Sequence, residues 1–338
     1  MAKMLSAYLI LIATAVSAAT LGAYNVDPGS VSVSGLSSGG FISAQLGVAY
    51  SDVFPMGFGV FAGGPYDCAR NQYYLNCMYN NRPFISLPTA NMKTWSGSKI
   101  APLSNLAHRR IYLQVGTADT TVGPNVMTQL QSQLAQFANP SNITFITTQG
   151  AAHTFPTDLD TSGNNPCSMA TSPYISNCGY DGAGGVLNWL YGSLRPRTEG
   201  TLSGSVVSFA QSGGYGAAGM GDTGYLYVPA ACQSGGRCKL HVAMHGCLQS
   251  QGLIGEKFIV NTGYTRWADA NDMLVLFPQA TVDYSLRVIW GGTLLSNPNG
   301  CWDWVGWYGQ DADQRTGVQM AAVVNQVKRI TSGWQGGL

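Results

Sequence analysis

Charge is scarce in this chain. Lys and Arg number 17, Asp and Glu 16, and the formal net charge is +1. No basic or acidic run disturbs that balance, so nucleic acid is not an expected partner and no charged interaction tail is present. Histidine is scarcer still, at four residues, and no C-x-x-C pair occurs. Both absences count against a zinc site, and neither metal nor cofactor is expected. After the first twenty positions the apolar runs are short, so no segment there predicts a membrane span, which needs about 20 apolar residues.

The one early apolar run, Leu5 to Val16, is about a dozen residues long and follows Lys3, the pattern of a secretory leader rather than an anchor. Val16-Ser17-Ala18 supplies small residues for cleavage, so residues 1–19 are expected to be a signal peptide. The mature chain would begin near Ala19 or Thr20, be secreted and extracellular, and act as a monomer. Eight cysteines in a low-charge chain fit that compartment. Eight allow many pairings. Proximity suggests three local loops, Cys68 with Cys77, Cys167 with Cys178 and Cys232 with Cys238, and leaves Cys247 and Cys301 as a long-range pair. Asn142-Ile143-Thr144 is a glycosylation sequon.

What is abundant is glycine, with 43 residues, and one glycine pair stands out. Val31 to Phe41 reads VSVSGLSSGGF, and Gly35-Leu36-Ser37-Ser38-Gly39 is a G-x-S-x-G. In this pattern a serine projects from a tight strand-to-helix turn, and glycine two residues either side avoids collisions. A helix over Gly40 to Tyr50, with Phe41, Leu46 and Ala49 facing the core, would point free N–H groups at the serine. A Gly/Ser-rich turn is the plain alternative; the strand before and the helix after are the context that favours a nucleophile.

The rest of the chain alternates. Strands are predicted at Met56 to Phe61, Ile111 to Val115 and Asn142 to Thr148, with helices at Asn125 to Phe137 and Gly184 to Leu194. Residues 66 to 109 read as an insertion with little regular structure. Asp119 and His153 each fall on a loop just past a strand, where open α/β sheets carry functional groups. After Gly200 come a hairpin (Thr201 to Phe209, Gly224 to Val228), the strand Lys239 to Met244 ending in His245-Gly246-Cys247, a helix over Gly263 to Ala270, the strand Met273 to Phe277, an aromatic loop over Ser296 to Trp307 and a helix over Gly317 to Ile330. Such alternation is α/β. The texture changes near residue 200 without a linker.

Ser37, Asp119 and His153 follow the Ser, Asp, His order of an α/β-type serine hydrolase. Two things are out of place. Only one strand precedes the serine, and the H-G loop that supplies an oxyanion-hole N–H lies far downstream instead of upstream. Moving residues 200 to 332 in front of residue 24 repairs both. The expected architecture over residues 20–338 is therefore one α/β-hydrolase domain, circularly permuted, with a mostly parallel central sheet, helices on both faces and adjacent termini.

LHVAMHGCLQS, YTRWADANDMLVLFPQA, NPNGCWDW, GLSSGG, VGTADTTVGPN and GAAHTFP resemble the motif series of the polyhydroxybutyrate depolymerase and feruloyl-esterase-like family. In its permuted order the chain is similar to the secreted single-domain depolymerases of filamentous fungi. The resemblance implies a serine esterase acting on a polyester, poly(3-hydroxybutyrate), with a feruloyl or acetyl esterase of plant polysaccharide as the alternative. It carries the triad onto Ser37 as nucleophile, His153 as general base and Asp119 as its orienting acid. Asp158 and Asp160 are rivals for the acid but follow the histidine. His108, His241 and His245 are weaker candidates for the base. The oxyanion donors would be the backbone N–H groups of Ser38 and Cys247. Cys247 as a nucleophile competes with that role unless a disulfide to Cys301 removes its thiol. Asn299, Trp302, Trp304 and Trp307 are candidates for substrate contact, since flat apolar rings suit a polyester with few hydrogen-bond donors; core packing is the other role open to the tryptophans.

Overall fold

The structure, a computed structural model, describes residues 20–336, so the expected leader lies outside the described residues. Strands follow the chain as β1 (Val26–Leu36), β2 (Gly57–Phe61), β3 (Arg110–Gly116), β4 (Ile143–Thr148), β5 (Phe155–Thr157), β6 (Asn165–Pro166) and β7 (Ile175–Asn177). Then come β8 (Ser205–Ala210), β9 (Thr223–Val228), β10 (Cys238–Met244), β11 (Met273–Phe277), β12 (Asp283–Val288) and β13 (Leu294–Asn297). Eight of them form one sheet in the order β4-β3-β2-β1-β10-β11-β9-β8. Pairing from β4 through to β11 is parallel, and β9 and β8 close the edge as an antiparallel hairpin. The break near residue 200 is therefore not a boundary, because strands on both sides of it share the sheet. Taken from β8 round to β4, the strands lie side by side as first, second, fourth, third, then fifth to eighth.

β1 sits in the middle, and from Val31 to Leu36 it is buried on both faces, which is why Val31 to Gly35 are all β-branched or small. On one face, Ser32 and Ser34 meet Tyr191 and Tyr264 of the helices Gly182–Tyr191 and Tyr264–Ala270. The other face carries the helices Ser38–Ala49, Pro124–Leu134 and Val318–Thr331. Every residue of Ser38–Ala49 is buried, more than the three core-facing positions the sequence suggests. It packs against the sheet and against Val318–Thr331, so it has no polar face to give a periodic signal.

The permuted arrangement brings the two ends of the described residues together. Tyr24 N–H donates to the Ile330 carbonyl at 2.8 Å, and Arg329 Nε to the Leu21 carbonyl at 2.9 Å. The helix Val318–Thr331 thus stands immediately before β1 in space although it is last in sequence.

The four disulfides are Cys68–Cys77, Cys167–Cys178, Cys232–Cys238 and Cys247–Cys301, the pairs that proximity suggests. The first pins a segment that sequence reads as irregular. It holds a helix, Ser86–Trp95, that the reading missed because only Pro88, Thr89, Met92 and Trp95 of it are buried. A second hairpin, β12–β13, precedes the aromatic loop and begins to fill it, since Ser296 and Asn297 belong to β13. Asn142 lies in a short turn before β4, and its side-chain nitrogen, where a glycan would attach, donates to the Ala107 carbonyl at 3.1 Å.

Joining residue 336 to residue 20 by a short Gly/Ser linker and opening the chain between Gly200 and Thr201, both exposed, should restore the unpermuted order without loss of fold. The expected product melts cooperatively within about 10 °C of the parent, a difference of roughly 6–7 kcal/mol for a chain of this size. A chain lacking a cooperative transition in calorimetry would contradict the topology.

Candidate active site

Ser37 stands between β1 and the helix Ser38–Ala49 at φ 58°, ψ −121°, a conformation that side chains adopt only under strain. Its N–H donates to the Phe61 carbonyl at 2.9 Å and its carbonyl accepts from Phe41 N–H at 2.9 Å, so the turn is fixed from both sides. The flanking glycines are required by contact. A Cβ on Gly35 would strike the carbonyls of Gly39 and Met244, and one on Gly39 the carbonyls of Met244 and His245. The elbow can exist only where β1 and the end of β10 approach this closely.

Asp119 and His153 come from loops after β3 and β4. Those loops are zipped together: Thr117 N–H bonds the Thr148 carbonyl at 3.0 Å, Ala118 N–H the Ala151 carbonyl at 3.0 Å, and Gly150 N–H the Thr117 hydroxyl at 2.8 Å. The result is a bond of 2.8 Å between His153 Nδ1 and Asp119 Oδ2, with both residues buried. Asp119 Oδ1 accepts from Thr121 N–H at 2.8 Å and Val122 N–H at 2.9 Å. Burial pushes the Asp119 carboxyl up, but His153 and the two backbone donors outweigh it and hold it below the usual range. A carboxylate here sets the proton on His153 Nδ1 and leaves Nε2 to face the cavity as an acceptor. The rival acids are elsewhere: Asp158 pairs with Arg197 at 2.5 Å and Asp160 is exposed.

Of the other histidines, His108 is exposed and does not line the cavity, and His241 and His245 are occupied. His241 is fully buried between Ser32 and Ser34, at 2.7 and 2.8 Å, and burial drives its pKa down to about 3. His245 is buried behind the H-G turn.

Ser37 and His153 line one cavity of about 410 Å³ together with Cys247, Asn299, Trp304 and Trp307. Ser38 opens its helix, so its N–H has no intrahelical acceptor. The Cys247 N–H likewise donates to no acceptor among the described residues. Cys247 is disulfide-bonded to Cys301, Cα to Cα 4.3 Å, which removes it as a nucleophile and ties the H-G turn to the aromatic loop. Leu248 N–H, donating to the Asn299 carbonyl at 2.7 Å, ties it again.

The tryptophans divide. Trp304 stacks on Phe41 with ring centroids 4.4 Å apart and presents to the cavity, as does Trp307. Trp302 does not: it is fully buried against His245, centroids 5.4 Å apart, and is not part of the cavity wall. The reason is Asp303. Its buried carboxylate accepts the N–H groups of Val305, Gly306, Trp307 and Tyr308, at 2.7 to 3.3 Å, and draws the turn inward. Asn/Gly/Pro flanks alone suggest an exposed loop.

Sequence reasoning missed a whole wall. Tyr74, Met78 and Tyr79 line the cavity from the Cys68–Cys77 segment. Tyr79 N–H and Asn80 N–H bond the carbonyls of Thr121 and Val122, at 2.8 and 2.7 Å, beside Asp119. The two tyrosines and the local disulfide were visible, but nothing in the pattern said where that loop docks.

No protein-family model matches the chain. It is 66% identical over 332 residues to a polyhydroxybutyrate depolymerase of Talaromyces funiculosus, covering 98% of each chain. It is 39% identical over 331 residues to a poly(3-hydroxybutyrate) depolymerase of Delftia acidovorans, covering 95% of this chain but 63% of that longer protein. Among solved structures it is similar to the PHB depolymerase of Penicillium funiculosum, and to a serine-to-alanine variant of a PHB depolymerase complexed with an R3HB trimer. Each superposes with a TM-score of 0.93 at 66% identity, over 94% of this chain and all of the other. With this identity over nearly its full length, on an α/β scaffold with the same fold, the chain belongs to the polyhydroxybutyrate depolymerase family.

Proposed function

We propose that this chain is a secreted, extracellular enzyme that hydrolyses the ester bonds of poly(3-hydroxybutyrate), releasing short 3-hydroxybutyrate products through an acyl-enzyme on Ser37. The observation that carries the reading is the buried His153–Asp119 pair beside the elbow serine in a cavity walled by Trp304, Trp307 and Tyr74. Ser37 Oγ attacks the ester carbonyl as His153 Nε2 takes its proton. The N–H groups of Ser38 and Cys247 bind the oxyanion that forms. Collapse of the tetrahedral intermediate breaks the ester C–O bond, and His153 gives its proton to the departing hydroxyl end. Water, deprotonated by the same imidazole, then attacks the acyl carbonyl; the bond to Ser37 Oγ breaks, the imidazolium returns its proton to that oxygen, and the acyl group leaves as a carboxylic acid. Asp119 keeps the required tautomer and stabilises the imidazolium.

The cavity mouth suits a water-insoluble polymer. Leu295 and Asn297 of β13 line the cavity, while Leu294 of β13 and Tyr284, Leu286 and Val288 of its partner β12 are exposed. Tyr79, on the opposite wall, is also exposed. Apolar side chains at a rim lose exposed area when a polyester surface covers them, at about 25 cal/mol per Å².

Four measurements test this reading. Ser37→Ala should lose about a millionfold in turnover on polymer granules and on a soluble butyrate ester alike, the scale seen when serine triads lose their nucleophile. Wild-type enzyme releasing ferulate from a feruloyl ester faster than it clears granules would instead support a carbohydrate-side esterase. Asp119→Asn should lower turnover by roughly 10⁴ with folding intact, while Asp160→Asn leaves it unchanged; a reversed pair of effects would reassign the acid. Replacing Tyr284, Leu286 and Leu294 by serine together should slow granule clearing and leave the soluble ester untouched, and equal loss on both would remove the rim from the argument.

A further inference from the structure

The turn after β10 holds an amide that has no bond of its own yet cannot rotate. His245, the first residue past the strand, is fully buried, and both ring nitrogens are engaged. Nε2 accepts the Ala280 N–H at 3.0 Å, which places the ring proton on Nδ1. Nδ1–H then donates to the Gly246 carbonyl at 2.7 Å. That carbonyl and the Cys247 N–H belong to one planar trans peptide and point in opposite directions. Fixing the oxygen on the inner side therefore fixes the N–H on the outer side.

The preceding peptide is held as well. Gly246 N–H donates to Gln249 Oε1 at 2.7 Å. Gln249 is itself buried, and its amide nitrogen donates to the carbonyls of Pro173 and Tyr174 at 2.9 and 3.1 Å. Both backbone polar groups of Gly246 are thus bound by side chains. The residue also abuts the elbow: a Cβ built on it would lie 3.2 Å from the Ser37 Cβ and 3.1 Å from the Leu36 carbonyl. Burial drives the pKa of His245 down to about 4, so one neutral tautomer serves at all pH values well above that.

We propose that His245 and Gln249 are positioning residues that clamp Gly246 from both sides and thereby aim the Cys247 N–H at the oxyanion formed on Ser37. The proposal rests on Ser37 as nucleophile and Cys247 as donor. It assigns the two side chains different parts, His245 as donor to the carbonyl and Gln249 as acceptor from the N–H. Neither touches the reacting atoms through these bonds. Their effect is preorganisation, so it should be felt where negative charge develops and not where the ground-state ester binds.

The test compares His245→Phe, His245→Asn, Gln249→Met and Gln249→Glu, with Ser37→Ala as control, on a soluble butyrate ester and with a boronic acid that forms a tetrahedral adduct on the serine. His245→Phe removes the donor but keeps a ring of similar size. Asparagine can place its amide nitrogen where Nδ1 stood. Glutamate keeps an acceptor for Gly246 N–H that methionine lacks. The expected result is a fall in kcat of about 10²-fold for His245→Phe, the scale of a lost oxyanion donor, with KM within about twofold. The boronate affinity should fall in step with kcat, and His245→Asn should recover most of both. Gln249→Met should act in the same direction, less strongly, and Gln249→Glu less again. If His245→Phe does not fold, the Gln249 pair carries the comparison. Unchanged kcat in folded His245→Phe and Gln249→Met would overturn the proposal. So would a loss confined to KM, or an equal loss in His245→Phe and His245→Asn that follows their melting temperatures. Activity surviving in Ser37→Ala would instead strike the nucleophile assignment, so the two failures are distinguishable.

Discussion

The site depends on one close approach of backbone to backbone. At the elbow, β1, the helix behind it and the end of β10 meet with no room for a Cβ on Gly35 or Gly39. Ser37 is held there at a positive φ by the Phe61 carbonyl and by the first turn of its own helix. Strain of that kind costs on the order of 1–3 kcal/mol and persists only where the surroundings over-determine it. Here they do, because the sheet on either side is buried and parallel. The same contact that forces glycine also brings Met244, and hence the H-G turn, to the serine. The proposed nucleophile and oxyanion donor are set by a single packing event.

Around that point the fold concentrates a small amount of polarity. In a chain only 10% charged, Asp67, Arg70 and Asp313 form a buried cluster. Arg70 Nε reaches Asp67 at 2.8 Å and Asp313 at 3.0 Å, and its guanidinium lies 4.4 Å from the Trp290 ring centroid. Burial and the neighbouring Asp313 push the Asp67 carboxyl well above the usual carboxylate range, against the opposing pull of Asn91 and Arg70. The cluster joins the Cys68–Cys77 segment to the loop before the last helix. It therefore braces the two segments that supply Tyr74 and Trp307 to the cavity. Asp303 does the same over a shorter range, gathering four backbone donors beneath Trp304 and Trp307.

What was legible in the sequence was what packing or chain order enforces locally. The glycine spacing around Ser37 is written in residue type because a Cβ is sterically impossible there. Asp119 and His153 were legible because they close predicted strands in the right order, and the permutation because an H-G turn stood on the wrong side of the serine. Bonds to backbone leave no such mark. Any residue supplies a carbonyl, so nothing in the letters says that His245 holds Gly246 or that Gln249 anchors to Pro173 and Tyr174. Trp302 and Trp304 have the same flanks and opposite fates, decided by which way Asp303 turns the chain. Tyr74 and Met78 reach the cavity only because the disulfide loop docks beside Thr121, a long-range pairing with no periodic trace.

The permutation is compatible with the chemistry for a geometric reason. Strands β1, β2, β3, β4, β10 and β11 run parallel, so their C-terminal ends share one edge of the sheet. Ser37, the Asp119 loop, the His153 loop and the H-G turn all follow C-terminal ends. The two ends of the described residues meet at the opposite edge, where Tyr24 bonds Ile330 just before β1 begins. β1 is eleven residues long, which at about 3.3 Å per residue puts some 30 Å or more between that meeting point and Ser37. A cut and a rejoining there change which residue is first without altering any contact at the site. Loops at the other edge have no such freedom, since the elbow, the Asp119–His153 zipper and the Cys247–Cys301 clamp each hold one loop against the next.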